Sequence, residues 1–221
     1  MKRLAILGVI SLAGLVSQTS NAAVVSNYDT LSTIGASPTA LTFTVGDNII
    51  NARLLPTPAS DSRFFSFTVA SGYQLSSITL DAYSSAPLTS GSATAGGIAF
   101  FGIKQGLTIT PDTTNPSSVD GFALLGTSTD TSTKATYGVD STLVGQDLFT
   151  SLIASGARTG TTLTNSLGSG DYTVWLRESK TNDDFSLTFK VTSVPVPATV
   201  WLMGSALLGL VGFNKRRIKS F

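Results

Sequence analysis

Cysteine and histidine are both absent from this chain of 221 residues, and each absence excludes a class of chemistry. Without cysteine there is no disulfide bond, thiolate nucleophile or thiolate zinc site. Without histidine there is no Ser-His-Asp triad and no imidazole ligand for a metal. Charged residues are only 12% of the chain, and Glu178 is its one glutamate. We therefore expect a protein that is not an enzyme and that carries no cofactor and no metal.

The first 22 residues are typical of a secretory signal peptide. Lys2 and Arg3 give a positively charged start, and an apolar run covers residues 4–16. Ser20 and Ala22 place small residues at the positions that signal peptidase requires for a cut after Ala22. The run is short for a membrane span, so we expect a cleaved signal rather than an uncleaved anchor.

A second apolar run, residues 198–213, lies near the other end of the chain. As a helix it would be about 24 Å long, close to the thickness of the hydrocarbon core of a bilayer. A basic cluster follows it, made of Lys215, Arg216, Arg217 and Lys219. Such a cluster stops translocation and stays in the cytoplasm. The sequence therefore predicts a C-terminal transmembrane helix with the body of the protein outside the inner membrane.

The block from Val194 to Lys219 combines a proline-containing signature, an apolar helix and a basic end. It resembles the PEP-CTERM sorting signal of Gram-negative bacteria, although Val196 stands in Pro195-Val196-Pro197 where that family usually has glutamate. The resemblance implies recognition by exosortase, a membrane cysteine transpeptidase that removes the helix and passes the protein to the cell surface. It also implies a role in the extracellular polysaccharide matrix or biofilm. A permanent C-terminal membrane anchor is the alternative.

Removal of both ends changes the charge of the protein. The two ends hold six of the 14 basic residues and none of the 13 acidic ones, so the remaining body has a net charge of −5. Nucleic-acid binding needs clustered lysine and arginine, so we expect no nucleic-acid partner. The partners we expect are signal peptidase, the exosortase-type enzyme, the inner membrane and extracellular polysaccharide.

The exported body, residues 23–193, is rich in serine, threonine and glycine and contains short runs in which apolar and polar residues alternate. This alternation is typical of half-buried strands, and turn-forming residues separate the runs. The pattern predicts one all-β domain, an antiparallel β-sandwich. A helix, or a strand with a loop, is predicted over 142–154, and a hairpin turn over 181–184. The predicted strands are residues 41–45, 65–69, 75–83, 97–103, 172–177 and 185–191.

The body also resembles a second family over residues 61–192. The run Phe65-Ser66-Phe67-Thr68-Val69, followed by Gly72, looks like the opening of a bacterial pre-peptidase C-terminal domain. The stretch from Leu167 to Leu176, followed by residues 185–189, looks like its end. The resemblance implies a jelly-roll-like sandwich that serves as a non-catalytic module of secreted proteins.

Trp175 is the candidate for a carbohydrate contact. It has opposite parity to Val174 and Leu176, which places it on the outer face of its strand, although a continuous apolar run allows both faces to be buried. Exposed aromatic rings stack on sugars, so a lectin-like module is the second function that the sequence suggests. An aromatic ring that is packed beneath a loop is the alternative.

The acidic residues near the predicted hairpin suggest two further alternatives. Asn182, Asp183 and Asp184, with Asp61 or Asp171 from a neighbouring loop, have the oxygen ligands that calcium prefers, although a plain polar turn fits the same residues. A secreted hydrolase would use paired carboxylates in a cleft. Adjacent acids such as Asp183 and Asp184 point to opposite faces if they lie on a strand.

Overall fold

The structure is a computed structural model. It describes residues 22–27, 30–33, 37–55, 60–87, 98–111, 118–126, 143–156, 166–178, 181–195 and 202–207. In chain order the strands are β1 (Ala23–Ser26), β2 (Ser32–Thr33), β3 (Thr39–Leu41), β4 (Gly46–Leu54), β5 (Asp61–Val69), β6 (Tyr73–Pro87), β7 (Ile98–Gln105), β8 (Gly121–Gly126), β9 (Gly170–Glu178) and β10 (Thr181–Ser193). A helix, α1 (Leu148–Gly156), lies between β8 and β9. The predicted all-β class is confirmed.

The strands form two sheets. Sheet A has four strands in the order β1-β4-β10-β6. Sheet B has six strands, with the order β2-β5-β9-β7-β8 and with β3 also paired to β5. The pairs β1–β4 and β3–β5 are parallel, and the other strand pairs are antiparallel.

The main apolar core contains side chains from both sheets. Every second residue of β4 is buried, and the same alternation runs through β10 from Thr181 to Val191. Phe189 of β10 lies 5.7 Å from Phe65 and 5.6 Å from Phe67 of β5, measured between ring centroids. These contacts join sheet A to sheet B within the core, because buried aromatic rings contribute large apolar areas.

The strand predicted over 75–83 is confirmed, and it continues to Pro87. Its register against β10 shifts twice, between Lys190 and Val191 and between Ser186 and Leu187. Each bulge adds one residue to β6 and exchanges the faces of the residues that follow. Leu75 and Ile78 are therefore both buried although three positions separate them, which explains the irregular pattern at the start of this run.

The predicted hairpin at 181–184 is wrong. These residues lie inside β10, and β9 and β10 belong to different sheets. The polar run is stable in a buried strand because the Thr181 hydroxyl donates a hydrogen bond to the Asp183 carboxylate at 2.8 Å. The chain passes from sheet B to sheet A between Glu178 and Thr181.

The strand predicted over 41–45 is mostly wrong, because β3 ends at Leu41. The side chain of Asn48, which is fully buried, binds the backbone of Thr44: the Thr44 N–H donates to Oδ1 and the Asn48 amide donates to the Thr44 carbonyl, both at 2.8 Å. These bonds satisfy the backbone of Thr44 without a neighbouring strand.

The helix predicted over 142–154 exists but begins later, at Leu148. Asp147 is the N-cap: its carboxylate accepts a hydrogen bond from the Phe149 N–H at 3.1 Å. The same oxygen accepts the Ile78 N–H at 3.1 Å, so the cap also joins α1 to the edge of β6. The helix ends at Gly156, two residues beyond the predicted range.

Candidate functional site

The position predicted for signal cleavage lies directly before the first strand. Ala22 is exposed, and Ala23 is the first residue of β1. Ser20 lies outside the described residues. A cut after Ala22 would therefore leave a mature chain whose first residue already belongs to sheet A.

The position predicted for C-terminal processing lies directly after the last strand. β10 ends at Ser193, and the Val194 N–H makes one further hydrogen bond, to the Gly72 carbonyl at 2.9 Å. Pro195 is exposed and, as a proline, has no N–H to donate. Val196 and Pro197 lie outside the described residues, as do Lys215, Arg216, Arg217 and Lys219. The predicted signature thus begins where the hydrogen-bonded body ends.

Part of the predicted membrane segment is described as a helix, residues 202–207. Its large apolar side chains are exposed: Leu202 by 67%, Met203 by 70% and Leu207 by 57%. In the part of the chain that the structure describes, no helix has the length and apolar character needed to cross a membrane. Most of the predicted span, residues 198–213, lies outside that part, so the span remains a prediction.

Trp175 is buried, with 2% of its surface exposed. The alternation with Val174 and Leu176 correctly indicates the outer face of sheet B, but that face is covered here by a second apolar cluster. Its buried members are Phe64, Val119, Phe122 and Trp175, and Phe100 and Ile109 pack against them. The Trp175 indole N–H donates to the Ser62 hydroxyl at 3.3 Å. The interpretation of Trp175 as an exposed platform for sugars is therefore wrong.

Asp183 is completely buried in the main core, where hydroxyl groups satisfy it. Its carboxylate accepts a hydrogen bond from the Tyr83 hydroxyl at 2.6 Å and another from Thr181. Burial, followed by the negative charge and the hydrogen bond of Asp183 and then the charge of Glu178, raises the pKa of Tyr83 far above its ordinary value. Tyr83 therefore remains a neutral donor at physiological pH.

Asp184 lies on the opposite face of β10 from Asp183, as expected for neighbours on a strand. Its carboxylate pairs with the Arg53 guanidinium at 2.6 Å in a half-exposed position. The two adjacent acids therefore cannot act together on one substrate or hold one ion.

The other suggested calcium ligands are engaged elsewhere. The Asp61 carboxylate pairs with Arg63 at 3.0 Å and accepts the Leu55 N–H at 2.9 Å. The Asp171 carboxylate accepts the Thr68 hydroxyl at 2.6 Å. Among the described residues, no group of three acidic side chains has a geometry that fits a metal ion. The structure does not bring the suggested calcium ligands together.

Comparisons with known proteins return no relative: no protein family, no curated protein and no solved structure matches the chain.

Proposed function

We propose that this protein is a non-enzymatic component of the cell surface or extracellular matrix of a Gram-negative bacterium, sorted by an exosortase-type transpeptidase and associated with exopolysaccharide. Its body, residues 23–193, is in this proposal a jelly-roll-like β-sandwich. One observation carries the proposal: the sorting-like block begins at the residue where the folded body ends. β10 ends at Ser193, the Val194 N–H makes one further bond to the body, and the signature starts at Pro195.

In the proposed mechanism, two proteolytic cuts deliver the protein to the cell surface. The signal peptide starts export, and signal peptidase removes it after Ala22. The C-terminal helix and its basic tail stop translocation. The exosortase-type enzyme then cuts at Pro195-Val196-Pro197, where the chain has left β10. A protease needs an accessible, extended segment, and a cut outside the strand leaves the sheet intact.

The polar groups that the sequence offers for chemistry support a structural role. Asp183 accepts hydrogen bonds from Tyr83 and Thr181 within the core, and Asp61 pairs with Arg63. Buried polar groups whose hydrogen-bonding capacity is taken up by the protein itself are typical of structural positions. We therefore place the function in the surface of the body and in its sorting.

The termini of the protein isolated from the surface of its own cells test the proposal. Intact mass and terminal peptides are expected to show a chain that begins near Ala23 and ends near Pro197. A chain that begins near Ala23 but retains Lys215 to Phe221 would instead identify a permanently anchored membrane protein, and the exosortase step would be wrong.

The identity of residue 196 should control the efficiency of the second cut. Glu is usual at the position of Val196 in the sorting family that the block resembles, so Val196→Glu is expected to raise the processed fraction several-fold in a pulse-chase experiment. Val194→Glu is the matched control, because it adds the same charge two residues earlier, where the side chain is already exposed. Equal processing of both variants and the unmodified chain would show that the exosortase-type enzyme does not recognise the residue at position 196.

A further inference from the structure

The two junctions with the predicted membrane segments lie at the same end of sheet A. Ala23 of β1 pairs with Asn48 of β4, and Asn48 pairs with Phe189 of β10. Two strand spacings separate β1 from β10, which is about 10 Å. β10 then runs four residues further, to Ser193, in the direction of this same end. The chain therefore enters the body at Ala23 and leaves it at Ser193 at neighbouring positions on the same end of sheet A.

Contacts between aromatic rings identify which end of sheet B lies beside this end of sheet A. Phe189 contacts Phe67, and Phe67 lies 5.6 Å from Tyr172. Tyr172 pairs with Gln105, the last residue of β7, and Leu107 follows shortly afterwards. We call this end of the body the junction end and define it by Ala23, Val45, Gly72, Leu107 and Val194.

Exposed apolar side chains are concentrated at the junction end. Six large hydrophobic residues of the described body are exposed, and four of them lie there: Val24 (56%), Val45 (40%), Leu107 (51%) and Val194 (45%). Leu55 follows β4 at the opposite end, and Val144 lies beside the middle of β6. These four side chains give the end that bears both junctions more exposed apolar groups than the rest of the described body has, as expected of an end that faces lipid.

Three carboxylates of the junction end have partners, but only one partner is a cation. Asp47 is 3.9 Å from the Lys190 ammonium, Asp171 accepts the Thr68 hydroxyl, and Asp120 accepts the Gln105 N–H at 2.7 Å. Charged groups are costly to transfer into hydrocarbon, so these acids place this end at the level of the lipid headgroups and not deeper.

We propose that the junction end rests on the outer surface of the inner membrane while the chain still carries its C-terminal segment. This inference rests on the proposed function, because it uses the predicted span 198–213. Residues 194–197 connect Ser193 to that span, and four residues reach at most about 14 Å. A tether of that length keeps the body against the lipid headgroups, with the junction end facing them.

The same geometry explains how the body can fold while the signal segment and the C-terminal segment are both anchored in the membrane. The signal segment and the C-terminal segment both place their basic residues in the cytoplasm, so both insert from the same side. Because Ala23 and Ser193 leave one end of sheet A, the body can form β1, β4 and β10 before either cut is made. The second cut then releases a body that is already folded.

Fluorescent reporters on the full chain test this orientation. The chain contains no cysteine, so Leu107→Cys and Leu55→Cys each provide a single attachment site for an environment-sensitive dye. Both side chains are exposed, and they lie at opposite ends of the body. Each labelled full chain is reconstituted in vesicles of phosphatidylethanolamine and phosphatidylglycerol, with and without nitroxide-labelled lipid. We expect several-fold stronger quenching by the nitroxide at position 107 than at position 55.

Two other results would overturn the inference, and only the second would also contradict the proposed function. If the chain floats with the vesicles and resists carbonate extraction, but the two reporters are quenched equally, the body has no fixed orientation and the proposed function is unaffected. If the full chain does not associate with the vesicles, the C-terminal segment is not a membrane anchor, and the stop-transfer step of the proposed function fails as well.

Discussion

Replacement of Trp175 by alanine is expected to lower the free energy of unfolding by about 4 kcal/mol, because removal of a buried tryptophan leaves a cavity as well as losing apolar burial. The ring lies 4.9 Å from the Phe100 ring and 6.1 Å from the Phe64 ring, between centroids. The change also leaves the Ser62 hydroxyl without the indole donor. Trp175→Phe retains most of the apolar contact and should cost less than half as much.

Chemical denaturation of both variants, followed by circular dichroism, measures this effect. Leu107→Ala is the matched control, since Leu107 is a large apolar residue that is half exposed, and truncation there should change stability by less than about 1 kcal/mol. The chain has two tryptophans, so fluorescence of a Trp201→Phe variant reports on Trp175 alone. Strong quenching of that emission by iodide, together with a loss below about 1 kcal/mol in Trp175→Ala, would contradict the second cluster.

Alternation of apolar and polar residues correctly predicts strands in β5 and β10, but the run 41–45 alternates just as clearly and β3 ends at Leu41. β4 escapes prediction because its buried face includes a polar residue, Asn48, while Ile49 occupies the outer face. The buried amide is stable only because Thr44, Gly46 and Phe189 provide its hydrogen-bond partners. That arrangement depends on a strand far away in the sequence, so local pattern does not reveal it.

For the candidate site residues too, local pattern is informative where contacts from distant segments are not needed, and it fails where they are. Alternation along β9 correctly indicates the face on which Trp175 lies, but the residues that cover this face come from the segment after β7 and from β8. The sequence predicts a turn at Asp183 because its neighbours are polar. Its main partner, Tyr83, is 100 residues away in the sequence, and only the pairing of β6 with β10 brings the two together.

The second large loss of stability is expected when the hydrogen bond between Tyr83 and Asp183 is changed. Tyr83→Phe removes the hydroxyl that donates to the buried Asp183 carboxylate, and it should lower the free energy of unfolding by about 2 kcal/mol at neutral pH. Asp183→Asn removes the charge but preserves the shape of the side chain. Because both changes remove the charge-assisted bond between the same two groups, the double variant should lose less stability than the sum of the single losses, by about 1 kcal/mol.

The Tyr83 hydroxyl also makes stability depend on alkaline pH. As the pH rises through the ordinary tyrosine pKa of about 10, the unfolded chain releases the Tyr83 proton, while the folded chain keeps it because its pKa is raised by burial and by Asp183. The unfolded state then binds fewer protons than the folded state, so the free energy of unfolding falls. For one such group the fall is about 1.4 kcal/mol between about pH 9 and pH 11.

Tyr83→Phe lacks this group, so the stability gap between it and the unmodified protein should narrow by about 1.4 kcal/mol over the same interval. Tyr172→Phe is the matched comparison, since burial and the charge of Asp120 also raise the pKa of Tyr172, while its hydroxyl donates to the Gly168 carbonyl instead of a carboxylate. Urea denaturation at several pH values measures all three proteins. A gap between Tyr83→Phe and the unmodified protein that stays constant with pH would mean that Tyr83 ionises in the folded state, and the buried pair with Asp183 would be wrong.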